Sequence, residues 1–92
     1  MLRHVVLFKF TNPADADEAV GRLQSLRGGI PALLTLEAGR NVREHPDAWD
    51  VSLVTTHTDL DGLRNYQDHP IHQEFVAWLN PRLSQRAVVD NY

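Results

Sequence analysis

Leu2-Arg3-His4-Val5-Val6-Leu7-Phe8-Lys9-Phe10 decides the fold. Successive side chains of a strand point to opposite faces. His4, Val6, Phe8 and Phe10 therefore fall on one side, Val5 and Leu7 on the other, and both sides are largely apolar. An antiparallel strand with one wet face would alternate apolar with polar residues, so this segment asks for cover on both. A single layer of helices supplies only half of it.

Outward from this strand, the punctuation of the chain gives the order of elements. Thr11-Asn12-Pro13 breaks the strand, with Asn12 placed to cap a helix and Pro13 at its first position, where a missing N–H costs nothing. Asp15, Asp17 and Glu18 lie at the positive end of the helix dipole. Ala16, Ala19, Val20, Leu23 and Leu26 or Arg27 recur at helical spacing, which predicts an amphipathic helix on a sheet, ended by Gly28-Gly29. Leu33 to Arg43 reads as a second strand, where Gly39 marks a bulge or a close backbone approach. Glu44-His45-Pro46-Asp47 has turn composition, and Trp49 to Thr58 alternates as the returning strand of a hairpin. Asp59 or Asp61 caps a helix running through Asp68, and Pro70 restarts the helical pattern. Phe75, Trp78 or Leu79, and Leu83 then recur at helical spacing, with Pro81 limiting a regular helix to about Asn80. Gln85 to Tyr92 ends the chain as a short fourth strand.

The resulting β-α-β-β-α-β order is the split βαβ arrangement of a ferredoxin-like α+β fold, with both helices on one face of an antiparallel sheet. Val6, Phe8 and Leu53 are then expected not to hide together under two helices, leaving a patch larger than soluble monomers tolerate. Face-to-face pairing of two sheets would close a dimeric α+β barrel. On this reading a charge at Val6 or Phe8 yields monomers or unfolded protein.

Composition narrows the partners. Ninety-two residues make one domain over 1–92. At this size folding hides only about 60–65% of the chain's surface, which favours association. The chain is 42% hydrophobic and 23% charged, a globular balance. No apolar run approaches the roughly 20 residues of a membrane span, and the N-terminus lacks the succession of a signal peptide; a cytoplasmic setting is expected. The absence of cysteine closes disulfide frameworks, thiolate metal sites and cysteine nucleophiles. With a net charge of −3 and Lys and Arg occurring singly, nucleic acid is not an expected partner.

Four segments carry a resemblance: the opening His4-Val5-Val6-Leu7-Phe8-Lys9-Phe10, then Gly39-Arg40-Asn41-Val42, Tyr66-Gln67-Asp68-His69-Pro70-Ile71-His72, and the terminal Val88-Val89-Asp90-Asn91-Tyr92. Joined in this order along essentially the whole chain, they resemble the stress-responsive A/B-barrel (Dabb) domain family. The resemblance implies a homodimer whose sheets close an α+β barrel, with a pocket in each subunit between sheet and helices. One member of the family is a plant polyketide cyclase that closes a linear polyketide by an intramolecular aldol reaction. The resemblance puts its acid/base pair on Tyr66 and His72, and further matching histidines on His69 and His4. On the second strand of the hairpin, where that member has another pocket histidine, the match falls on Val51, and His57 receives no role.

Chemistry gives these residues two readings. Tyr66, His69 and His72 are spaced three apart and would share one face of a continuous helix, although Pro70 intervenes. An imidazole can take a proton from carbon beside a carbonyl while a phenol donates to the developing enolate oxygen. That makes a cofactor-free cyclase, lyase or isomerase with His72 as base and Tyr66 as acid, with His4 and His69 at the ligand. Alternatively His72 and His4 hydrogen-bond backbone or each other and tie the last helix to the first strand, with Tyr66 packing and its hydroxyl satisfied. The favoured expectation is a barrel holding a small apolar or carbonyl-containing molecule, with the cyclase-type enzyme as the alternative. No cofactor is expected, and no metal, because His69, His72 and His4 form no HExxH or carboxylate-histidine pattern. Trp49 and Trp78 read as core or interface residues, and His45 as a solvated turn residue. Arg40 and Asn41 read equally as a hairpin end or an anion site.

Overall fold

The computed structural model describes residues 1–92. Strand β1 is Leu2–Phe10, and a 3-10 turn over Pro13–Asp15 leads into helix α1, Ala16–Gln24. Strands β2 (Thr35–Arg40) and β3 (Val51–His57) form the hairpin, followed by helices α2 (Leu60–Asp68) and α3 (Pro70–Leu79). A second 3-10 turn, Asn80–Arg82, leads into β4, Leu83–Asn91. The sheet runs β2-β3-β1-β4 with every pairing antiparallel, the ferredoxin-like α+β order expected from the sequence.

Local chemistry explains the boundaries. The Asn12 side chain accepts a hydrogen bond from the Ala14 N–H at 3.1 Å, so the cap holds a 3-10 turn before α1 begins. Gly28 ends the following turn with φ of +79°, a left-handed conformation open to glycine at little cost. Asp59 caps α2 by accepting from Gly62 N–H at 2.8 Å. The break between α2 and α3 falls at His69, whose extended backbone (φ −65°, ψ 138°) is what a residue before proline favours. Gly39 carries no bulge: it faces Ser52 in an unbroken β2–β3 register. The one shift of register lies between Lys9 and Phe10, where β1 meets β4.

All three helices lie on the same side of the sheet. Leu2, Val6, Phe8 and Phe10 of β1, with Leu36, Val51 and Leu53, pack against Ala16, Ala19 and Leu23 of α1 and Leu63, Phe75 and Leu79 of α2 and α3. This corrects one expectation: Val6, Phe8 and Leu53 are fully covered by helices, with Phe8 only 3% exposed. Strict alternation separates two sets of side chains but does not say which set the helices choose. The uncovered face carries the other set, in which Val5 pairs with Val54 and Val89, and Leu7 with Ser52 and Ala87. Leu7 is 39% and Val89 60% exposed. Both tryptophans are half-buried: Trp78 packs against the core with Arg22 and Arg82 over its ring, while Trp49 lies beside Leu7 on the uncovered side.

Phe8 is therefore a core residue. Phe8→Ala is expected to lower the unfolding free energy by about 3–5 kcal/mol in a urea titration; a loss below about 1 kcal/mol would show that the helices do not seal this face.

Candidate functional site

At one end of the helix-covered face the apolar core gives way to polar groups. The register sets His4 of β1 between Thr55 of β3 and Asp90 of β4, and places His57 two residues beyond Thr55 on the same side. The side chains of His4, Thr55 and His57 are buried, so each must find a partner or cost free energy. His4 donates through Nδ1–H to Asp90 Oδ1 at 2.5 Å. His57 donates through Nδ1–H to the Ala32 carbonyl at 2.8 Å, which leaves Nε2 to accept from the Thr55 hydroxyl, also at 2.8 Å.

Helix α2 lowers Tyr66 onto this cluster, its ring 4.9 Å from that of His57. From the first turn of α3, His72 closes the other side, its ring 4.5 Å from that of Tyr66. The His72 Nδ1–H donates to the Gln67 carbonyl at 3.1 Å. That bond fixes the tautomer and leaves Nε2 with a lone pair. Tyr66 is only 1% exposed, yet its hydroxyl oxygen has no hydrogen-bonding partner in the protein. It is the single buried side-chain polar atom in that condition.

His4, Tyr66 and His72 border a cleft of about 200 Å³ between the sheet and α2–α3. Val6, Phe8, Leu53, Phe75, Val76 and Leu79 form its apolar wall. His4, Tyr66, His72 and Arg86 contribute its titratable groups, with Gln67 and Gln73 beside them. Burial pushes the Tyr66 phenol up to about 12, so it remains a donor at any physiological pH. Burial also lowers His57 and His72 below the ordinary imidazole value, partly offset by their backbone hydrogen bonds and reinforced by neighbouring positive charge. Both are held toward the neutral form.

Of the residues singled out in the sequence, Tyr66, His72 and His4 converge on the cleft. His69 does not. The pre-proline break turns it to cap α3, where Nδ1 accepts the Ile71 N–H at 3.1 Å, and it does not line the cleft. His57, which had been given no role, stands inside the polar cluster, while Val51 lies at the far end of β3 opposite Phe8. The signal was parity: His57 shares its strand face with Val51, Leu53 and Thr55. Asp90 was visible only as part of the terminal motif, because its partner lies 86 residues away. Arg40 and Asn41 border a wider opening beside the hairpin loop, but Arg40 pairs with Asp17 and Asn41 donates to the Arg43 carbonyl. No three histidine or carboxylate groups are placed to hold a metal, and no helix is long and apolar enough to cross a membrane.

An antiparallel sheet in the order β2-β3-β1-β4 with its helices on one side defines the ferredoxin-like class of small α+β proteins. Within it, the chain belongs to the Stress responsive A/B Barrel Domain (Dabb) family, whose model matches residues 2–92. It is 33% identical over a 91-residue alignment to an uncharacterized protein of Streptomyces coelicolor, covering 86% of this chain and 94% of the relative. A dimeric ferredoxin-like protein of unknown function from Thermobifida fusca superposes with a TM-score of 0.85 at 29% identity, over 98% of this chain and 88% of that one. A hydroxynitrile lyase from Passiflora edulis shares the fold at 15% identity, with a TM-score of 0.81 over 98% of this chain and 90% of its own.

The two neutral histidines set a pH dependence. Unfolded, each titrates near 6.5; folded, each binds its proton only at lower pH. Below pH 6.5 the unfolded chain therefore holds more protons, and stability falls as pH drops, by at most about 1.4 kcal/mol per pH unit per histidine. Urea midpoints measured at pH 7.5 and 5.5 should show this fall, and His57→Gln should make it shallower; an equal slope in the variant would show that His57 does not contribute to it.

Proposed function

We propose that this protein acts as a homodimeric α+β barrel, each subunit holding a small, mainly apolar, carbonyl-containing molecule in the cleft between its sheet and helices. The observation that carries this reading is the Tyr66 hydroxyl. A buried polar group without a partner costs about 1–3 kcal/mol, and such groups are uncommon in native proteins. Here the group is a phenol that keeps its proton and borders an apolar cleft. A carbonyl oxygen flanked by hydrocarbon matches both features: it accepts one hydrogen bond, and its remainder favours the wall of Phe8, Leu53, Phe75 and Leu79.

The pairing of two chains is supported by the uncovered sheet face, where Val5, Leu7, Val54, Ala87 and Val89 lie together with no helix above them. A matching face from a second copy would remove them from water. The Thermobifida fusca relative is itself described as dimeric.

A second reading, a cofactor-free cyclase, lyase or isomerase, is favoured by the state of His72. Its Nδ1–H is committed to the Gln67 carbonyl, so the Nε2 lone pair is free to accept a proton beside the Tyr66 ring. In that reading Nε2 removes a proton from the carbon next to the bound carbonyl as the Tyr66 hydroxyl donates to the developing enolate oxygen. Collapse of the enolate onto an electrophile, or its reprotonation, completes the cycle.

Three measurements separate the parts. Leu7→Asp should sediment as a monomer where the native chain sediments as a dimer; a native dimer in the variant would place the interface elsewhere. Acetophenone should bind the native protein, and at least about tenfold more weakly to Tyr66→Phe, as loss of one well-placed hydrogen bond implies. In heavy water the native protein should speed deuterium incorporation into the acetophenone methyl group, and His72→Gln should abolish that acceleration. Binding without exchange would retain the ligand-binding reading and remove the enzymatic one.

A further inference from the structure

Four residues before Asp90, β4 carries Arg86. Across the register Arg86 faces Phe8 and Asp90 faces His4, so both side chains of β4 lie on the helix side of the sheet, about 13 Å apart along the strand. Their situations differ. Asp90 is occupied by His4. Arg86 lines the cleft and takes part in no ion pair or side-chain hydrogen bond. It is the one lining residue with a permanent charge. A guanidinium offers five donors in a planar fork suited to a carboxylate, and this one stands beside an apolar cavity with no acidic residue among the lining side chains to answer it.

Building on the carbonyl-binding reading, we infer that Arg86 is a specificity-determining residue, and that the cleft's ligand is a keto acid whose carboxylate lies on Arg86 while its ketone oxygen accepts from Tyr66. The cleft is polarised to receive such a molecule in one direction only. Arg86 attracts the carboxylate to one part of the cleft, Tyr66 offers its donor to the ketone, and the hydrocarbon between them meets Phe8 and Phe75. Arg86 is also one of the positive neighbours that disfavour protonation of His72. A bound carboxylate would neutralise that influence and make His72 a stronger base only when the acid is in place.

The test uses β-benzoylpropionate and its primary amide, which share the ketone and the phenyl group and differ in charge. Isothermal titration at pH 7.5 should show the acid binding at least about tenfold more tightly than the amide, the range of a charge-assisted hydrogen bond. Arg86→Ala should erase that preference by weakening the acid alone, and Arg86→Lys should restore part of it. Equal affinity for both probes, or a preference that survives Arg86→Ala, would overturn the assignment of Arg86 and leave the carbonyl site standing. Failure of both probes to bind the native protein, or binding unchanged by Tyr66→Phe, would overturn the carbonyl reading and this inference together.

Discussion

Burial of polar groups at one end of an apolar layer is the constraint on which this structure turns. Between the sheet and α2–α3, His4, Thr55, His57, Tyr66 and His72 are drawn from three separate stretches of chain into a space otherwise filled by Val, Leu and Phe. Removing such groups from water without partners costs more than the packing around them returns. The chain meets this with a closed set of bonds: Asp90 for His4, Ala32 and Thr55 for His57, Gln67 for His72. Tyr66 alone is left out. The one buried side-chain polar atom without a partner thus belongs to a residue that lines the cleft.

The same bonds serve the fold. His4–Asp90 joins the central strand β1 to the edge strand β4, and His57–Ala32 ties β3 to the segment entering β2. The His72–Gln67 bond spans the break between α2 and α3, so the pre-proline kink that ejects His69 also fixes the ring of His72. Site and scaffold share these contacts. A structural role for the histidines and a chemical role for Tyr66 are thus compatible, because the bond that holds His72 to the Gln67 carbonyl uses Nδ1 and leaves Nε2 free beside the Tyr66 ring.

Much of the fold was legible in the sequence because its signals are local. The two-sided character of β1, the Asn12-Pro13 cap, and the proline that divides α2 from α3 are each set by neighbours a few residues apart. What could not be read depends on distant residues. Alternation in β1 separates Val6 and Phe8 from Val5 and Leu7 without saying which pair the helices cover; that choice is made by α1 and α3. His57 and Asp90 gained their places through strand register, and His69 lost its place through a single extended ψ. Tyr66, His72 and His4 line one cleft; the short Tyr66-to-His72 segment and the opening strand marked these positions, while their meeting across the layer was set by the fold.

The cleft has a donor to offer only if the Tyr66 hydroxyl has no partner inside the protein, and the most direct measurement is the unfolding free energy of ligand-free Tyr66→Phe against the native chain at one fixed protomer concentration. Removing an unsatisfied buried hydroxyl should leave stability unchanged or raise it by up to about 1–2 kcal/mol. A loss of more than about 1 kcal/mol would mean that the hydroxyl already has a structural partner, and the cleft would lose its donor.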